Sequence, residues 1–269
     1  PLKPDLKTLD RGPVRLCQES VTALHRRDAC RSTGRTVLRI STFIGNAGQG
    51  PLEYAPVSPA QDIPADCRGD GDTDLDGDGD LEDNDVLVQQ LIYEDGNGNG
   101  TYQRLTDTGF TGVDVGCRYF HPEHDHYHVE AFSRFLLCSE QTGTVVRTGN
   151  KISFCVADTN YFDLSLPGAP TRGNGFYSDD DCDGQLSIQG ISVGWYDLYA
   201  WGLPGQEIDV TGLPAGTYCL IVRADPDNLI DETNESNNDR LRRLFIDPAQ
   251  APVNRYKSLP KAPGTCAPL

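Results

Sequence analysis

From Thr36 the chain reads Val37-Leu38-Arg39-Ile40-Ser41-Thr42-Phe43-Ile44, with Leu38, Ile40 and Ile44 on one face, before Gly45-Asn46-Ala47-Gly48 interrupts it. Period-two alternation closed by a glycine-rich break predicts a strand and a turn. Residues 132–138 and 145–156 alternate in the same way, with Gly143 and Gly149-Asn150 as breaks, and predict a β-hairpin. Further strands are predicted at 193–199, 206–210, 217–224 and 241–246. Helical periodicity is not sustained over three turns anywhere; short helix candidates fall at 20–27 and 84–92. The remainder reads as loop: a polar first stretch to about 35, a glycine-rich loop or wide hairpin at 93–108, and 160–190 with an acidic cluster at 179–183. Many short strands punctuated by Gly, Pro and Asn predict a mainly β protein, a β-sandwich with long loops and few short helices. Residues 1–269 read as one domain, with an irregular tail from about 248.

Composition narrows the setting. The formal charge of -17 repels a phosphate backbone, which argues against nucleic acid and favours cationic partners. No apolar run approaches bilayer-spanning length, so no membrane segment is expected. Methionine is absent even at position 1, which points to a processed form whose signal peptide has been removed. The nine cysteines contain no CxxC pair, which suits disulfides in an oxidising, extracellular compartment. Cys17 and Cys30 are spaced to close a small loop, Cys266 can tie down the tail, and one cysteine is left over or paired between chains.

Part of the acidity is concentrated at 58–85, SPAQDIPADCRGDGDTDLDGDGDLEDND, a polar insertion nearly devoid of core residues. It fits a calcium loop with ligands Asp72, Asp74, Asp76, Asp78 and Asp83 and a turn at Gly77; a second register runs from Asp74 to Asp85. Oxygen donors at alternate positions suit a hard cation, while a solvated acidic loop is the simpler alternative.

Four of the five histidines lie in His121-Pro122-Glu123-His124-Asp125-His126-Tyr127-His128. In an extended strand His124, His126 and His128 project to one face, where three imidazoles make a site for copper, zinc or nickel. The competing reading is a set of ordinary exposed or core histidines. Alternating histidines also occur in cupins, amidohydrolases and structural zinc sites, so downstream residues decide.

Those residues are Phe132-Ser133, then Lys151-Ile152-Ser153-Phe154-Cys155 with Asp158-Thr159, then Gly194-Trp195-Tyr196-Asp197-Leu198-Tyr199. In identity and order they resemble the lysyl oxidase family. Pro4-Asp5-Leu6 is similar to the opening of that family's catalytic domain, and Leu229-Ile230-Asp231-Glu232-Thr233-Asn234-Glu235-Ser236-Asn237-Asn238 to its calcium-binding turn. The resemblance implies a secreted copper amine oxidase. Copper would be held by His124, His126 and His128, and Lys151 would be cross-linked to Tyr199 as lysyl tyrosylquinone. The substrates implied are dioxygen and a primary amine or lysine-containing protein. It also implies calcium at Asp5, Glu232, Asn234, Asn237 and Asn238. Zinc in the copper site would keep the fold and block quinone formation, having no redox chemistry. The chain has five lysines, and Lys151 is the one remote from both termini.

The sequence departs from the animal pattern at Arg134, which replaces a proton-transfer histidine and cannot accept a proton. Asp197, two residues before Tyr199, is the substitute base read from the sequence; a structural carboxylate is the alternative. Two other functions stay open at this stage. One is a calcium-stabilised extracellular β-sandwich binding module whose histidines hold zinc or copper without catalysis. The other is a metal hydrolase with an open three-histidine zinc site.

Overall fold

The computed structural model describes residues 1–19, 30, 33–57, 86–121 and 126–266. The insertion with Asp72, Asp74, Asp76, Asp78 and Asp83, the helix candidate at 20–27 and His124 lie outside the described residues. In chain order the strands are β1 (Leu6–Thr8), β2 (Val14–Glu19), β3 (Arg35–Ile40), β4 (Thr42–Asn46), β5 (Leu52–Pro56) and β6 (Val86–Tyr93). There follow β7 (Phe110–His121), β8 (His126–Ser139), β9 (Val145–Phe154), β10 (Asn160–Tyr161), β11 (Gln189–Ile191) and β12 (Trp195–Tyr199). The last four are β13 (Glu207–Asp209), β14 (Gly216–Ala224), β15 (Asp239–Ile246) and β16 (Lys257–Leu259). Among the described residues the only helical pieces are 3-10 turns at Asp179–Cys182 and Pro248–Gln250, and no helix is long and apolar enough to cross a membrane.

Three antiparallel sheets result. The largest runs β11-β5-β6-β7-β8-β14-β15, with β9 added alongside β8; the others run β1-β4-β12-β10 and β13-β3-β2-β16. Leu6, Ile44 and Trp195 from the second sheet, Leu16, Leu38 and Ile208 from the third, and Tyr54, Phe132, Phe135 and Leu220 from the first share one core. Fully burying a leucine or phenylalanine contributes about 1.5–3 kcal/mol, so this common core is what presses the sheets together. The mainly β sandwich expected from alternation is the fold observed.

Differences from the expected elements have local causes. Residues 86–93 form β6 rather than a helix: pairing with β5 and β7 on both edges, with Val86, Val88 and Gln90 buried, overrides a short ambiguous pattern. The run 36–44 is two strands in different sheets, broken at Ser41. Gly149-Asn150 does not end a strand. It lies inside β9, where Lys151 pairs with Arg134 and Thr148 with Leu136, so two residues face one in a bulge. A Cβ on Gly149 would meet Phe135 Cβ at 3.1 Å and the Glu207 carbonyl at 3.2 Å, which explains the glycine.

β8 is the hub. It pairs with β7 from His121↔His126 to Arg118↔Val129, then with β14 from Ser133↔Ala224 to Ser139↔Tyr218. Between the two, Ala131 has φ +50° and the register with β9 shifts. The cost of placing an alanine there is met by the pairing on either side. Disulfides Cys17–Cys30, Cys155–Cys182 and Cys219–Cys266 are formed, Cys117 is also disulfide-bonded, and Cys138 is a buried free thiol beside Cys219 on the neighbouring strand. The tail is thus tied down through Cys266, and it adds β16 to β2.

Candidate active site

The histidine-rich stretch is not one strand. β7 ends at His121 and β8 begins at His126, so His121 sits across from His126 as its register partner. Within β8 the alternation holds: the Nε2 atoms of His126 and His128 face each other at 3.0 Å, with ring centroids 4.9 Å apart. Two nitrogens at that separation share points about 2.0–2.1 Å from both, the usual metal–imidazole bond length. The donor set therefore fits copper or zinc. His128 is 1% exposed, and its Nδ1 meets Ser153 Oγ at 3.0 Å. Ser153 Oγ is in turn 2.6 Å from the Tyr119 hydroxyl. This relay engages Nδ1 and fixes the ring so that Nε2 points toward His126.

Tyr199, the last residue of β12, is buried beside this pair. Its ring stacks on Phe154 at 3.7 Å, stands edge-on to His128 at 6.0 Å, and its hydroxyl accepts the Cys155 amide at 2.6 Å. Burial, reinforced by the nearby Asp197 carboxylate, pushes the phenol well above its ordinary pKa. Lys151 is described by its backbone alone, on β9 opposite Arg134. Arg134 is half-buried and pairs with Asp227 at 3.9 Å.

Asp197 shares the Tyr199 face of β12, as two-residue spacing requires, and is 2% exposed. Its Oδ1 accepts the Thr159 hydroxyl at 2.9 Å, while its buried Oδ2 has no hydrogen-bond partner. Burial drives its pKa well above the carboxylate range, partly offset by the Thr159 hydrogen bond. His126, Cys155, Asp179, Asp197, Tyr199 and Leu203 line a common open pocket of about 290 Å³. Ser153, Tyr119 and Asp179 were missed in the sequence. Tyr119 belongs to β7, which alternation did not disclose, and Asp179 reaches the pocket through a loop.

The asparagine-rich turn forms a second polar cluster. Carboxylate oxygens of Asp225, Glu232 and Glu235 lie within 4.8 Å of one another. Asn238 donates to Glu232 Oε1 at 2.9 Å, the Leu6 amide donates to Glu232 Oε2, and Asn237 donates to Asp5 Oδ1 at 2.8 Å. Asn234 is exposed, and its Oδ1 accepts the Ser236 hydroxyl at 2.7 Å. Burial raises Glu232 to about 8 and also raises Asp225. Asp225 and Glu235 were not among the residues expected here. Residues 95–100, read as a plain glycine-rich loop, also carry calcium-loop spacing in Asp95, Asn97, Asn99 and Gly100, with Asp95 accepting the Gly100 amide at 2.6 Å.

Comparison with known proteins bears on the same residues. The lysyl oxidase family matches residues 113–255, 143 of the chain's 269 and so more than half. Protein-lysine 6-oxidase of Rattus norvegicus is 34% identical over 120 residues, 44% of this chain and 26% of that protein. The Sus scrofa protein of the same name is 33% identical over 44% of this chain and 43% of its own length. Lysyl oxidase homolog 1 of Homo sapiens is 32% identical over 44% of this chain and 19% of its length. The match thus spans from about a fifth to under half of these relatives. The segment that matches holds His126, His128, Lys151, Asp197, Tyr199 and the Glu232 turn together, and the chain belongs to the lysyl oxidase family.

Proposed function

We propose that this chain is a copper amine oxidase that converts primary amines, including peptidyl lysine, to aldehyde, ammonia and hydrogen peroxide. The observation that carries the reading is the adjacency of two metal-ready imidazoles to a buried tyrosine at an open pocket. His126 and His128 would hold copper, with His124 as the third imidazole by family resemblance; zinc could substitute in the site. Bound copper, with dioxygen, supplies the oxidising chemistry that turns Tyr199 and Lys151 into lysyl tyrosylquinone, an electron sink for amines.

The chain's own residues prepare that chemistry. Phe154 and the Cys155 amide fix the plane and the hydroxyl of Tyr199. Ser153 and Tyr119 orient His128. Asp197 receives the substrate's α-proton at Oδ2, the oxygen without a partner, while Thr159 steadies Oδ1. Burial holds the Asp197 carboxyl well above the ordinary carboxylate range, which makes its ionised form a stronger proton acceptor than a solvated carboxylate. The disulfides suit an oxidising compartment, so we place the protein outside the cell. We assign calcium to the Glu232 cluster and to the aspartate insertion.

A peptide mass map of the copper-loaded, oxygenated chain tests the reading. It is expected to contain a covalent Lys151–Tyr199 peptide that is absent from His128→Ala. An unmodified Lys151 peptide throughout would overturn the proposal. The base is tested separately: Asp197→Asn is expected to slow amine oxidation by about 10²–10⁴-fold, with the loss in α-proton abstraction. A reductive half-reaction of normal rate and normal deuterium isotope effect in that variant would exclude Asp197 from the role.

A further inference from the structure

The free thiol of Cys138 stands in a group of three sulfurs. Cys138 is the register partner of Cys219 across β8 and β14, and Cys138, Cys219 and Cys266 share one small apolar cluster with Leu136, Ile221 and Leu241. Directly opposed residues on antiparallel strands hold their side chains on one face with Cβ atoms about 4.5–5.5 Å apart, and a disulfide needs about 3.5–4.5 Å. Cys219 therefore has two sulfurs at hand. One is Cys266, to which it is bonded; the other is the thiol of Cys138.

The Cys219–Cys266 bond holds the C-terminal tail in place. β15 is the last strand of its sheet, so one of its edges has no strand beside it. The tail covers part of that edge, where the Ala262 amide donates to the Arg243 carbonyl at 2.8 Å and Arg243 Nη1 donates to the Pro263 carbonyl. Upstream, β16 keeps the tail on β2. Between these anchors the tail is mostly exposed, and the Lys261–Asp10 pair at 3.5 Å is too exposed to contribute much. The disulfide, more than packing, keeps residues 260–266 against β15.

We propose that Cys138 is a resolving thiol for this clasp and that Cys266 is the site at which the protein presents a reactive thiol to solvent. The Cys138 thiol gives its proton to solvent and the thiolate attacks Cys219 Sγ. The Cys138–Cys219 bond forms as the Cys219–Cys266 bond breaks, and Cys266 departs as a thiolate that takes up a proton. One thiol and one disulfide stand on each side, so neither oxidant nor reductant is required. The exchange moves the free thiol from a buried strand to the half-buried end of the tail, where disulfides and electrophiles reach it, and it uncovers the edge of β15. Burial holds the Cys138 thiol above its usual range, so little thiolate is present and the exchange is slow. Nothing in it depends on copper or on amine oxidation.

Trapping tests the inference on the folded wild-type chain. The protein is incubated with iodoacetamide and no reductant, then digested without reduction and mapped by mass spectrometry for labels and disulfides. Iodoacetamide caps the thiol that reaches solvent and so draws the exchange forward. The expected product carries the label on Cys266 together with a Cys138–Cys219 cross-linked peptide. Its Ala262 amide is expected to lose protection from hydrogen exchange. Cys138→Ser is expected to keep Cys219–Cys266 and to leave Cys266 unlabelled. A label confined to Cys138, an unlabelled chain with Cys219–Cys266 intact, or a labelled Cys266 in Cys138→Ser overturns the inference. The wild-type map decides the matter even if the variant does not fold.

Discussion

Replacing Tyr199 by phenylalanine is expected to abolish amine-dependent peroxide release while leaving a folded chain. The hydroxyl is the oxygen from which a quinone must be built, and phenylalanine offers none. The structural loss is small by comparison. Phenylalanine keeps the stacking on Phe154 at 3.7 Å, and what disappears is the acceptor for the Cys155 amide. An unpaired buried amide costs about 1–3 kcal/mol, which lowers the melting temperature without unfolding the protein at 25 °C. A coupled peroxide assay and a thermal melt on the same preparation separate the two effects. Lys151→Arg is expected to behave like Tyr199→Phe in the assay, because guanidinium cannot be deprotonated to attack the ring. Lys257→Arg, on an exposed strand at the far end of the chain, is expected to retain activity. Peroxide release by Tyr199→Phe at wild-type rate would remove the tyrosine, and with it the whole mechanism.

What could be read in the sequence followed from how locally each feature is encoded. β12 and β14 were visible because alternation there coincides with a buried face. The pair His126 and His128 was visible for the same reason: spacing of two on a strand is itself a geometry. β6 was not visible, since Val86, Leu87 and Val88 followed by Gln89 and Gln90 satisfy no single period, and only pairing on both edges decides it. Ser153 and Tyr119 could not be found by spacing at all. They meet because β7 and β9 flank β8, a relation that exists only once the register is set. Asp225 reaches Glu232 through a turn in which its own carboxylate accepts the Leu229 and Ile230 amides at 3.0 and 2.9 Å. Its φ of +40° is tolerated because those bonds hold it. The odd cysteine count required one cysteine left over or paired between chains, but naming Cys138 required the disulfides of the folded chain.

Without a bound cation, the stability of the chain is expected to fall as pH rises from about 4.5 to about 8, and calcium is expected to reverse that fall. Glu232 sets the sign. Burial raises its carboxyl from 4.5 to about 8 in the folded state. Below 4.5 both folded and unfolded chains hold the proton, and its contribution is complete. Between 4.5 and 8 the unfolded chain releases the proton while the folded chain keeps it, so folding weakens, by at most about 1.4 kcal/mol per pH unit. Above 8 both forms are ionised and the contribution is gone. Asp225, also raised by burial, pushes in the same direction. Calcium at this cluster would bind the ionised carboxylates of Asp225, Glu232 and Glu235, whose oxygens sit within 4.8 Å of one another, and so would compete with the protons that otherwise stabilise the turn. At a hundredfold excess over its dissociation constant it adds about 2.7 kcal/mol, about 5–10 °C in melting temperature for a chain of this size. Melts in EDTA and in calcium at pH 5, 6.5 and 8 are expected to diverge as pH rises. Glu232→Gln mimics the protonated side chain, so it is expected to flatten the pH dependence in EDTA and remove the calcium increment that this cluster supplies. A calcium effect of equal size at pH 5 and pH 8, unchanged in Glu232→Gln, would place the cation elsewhere in the chain.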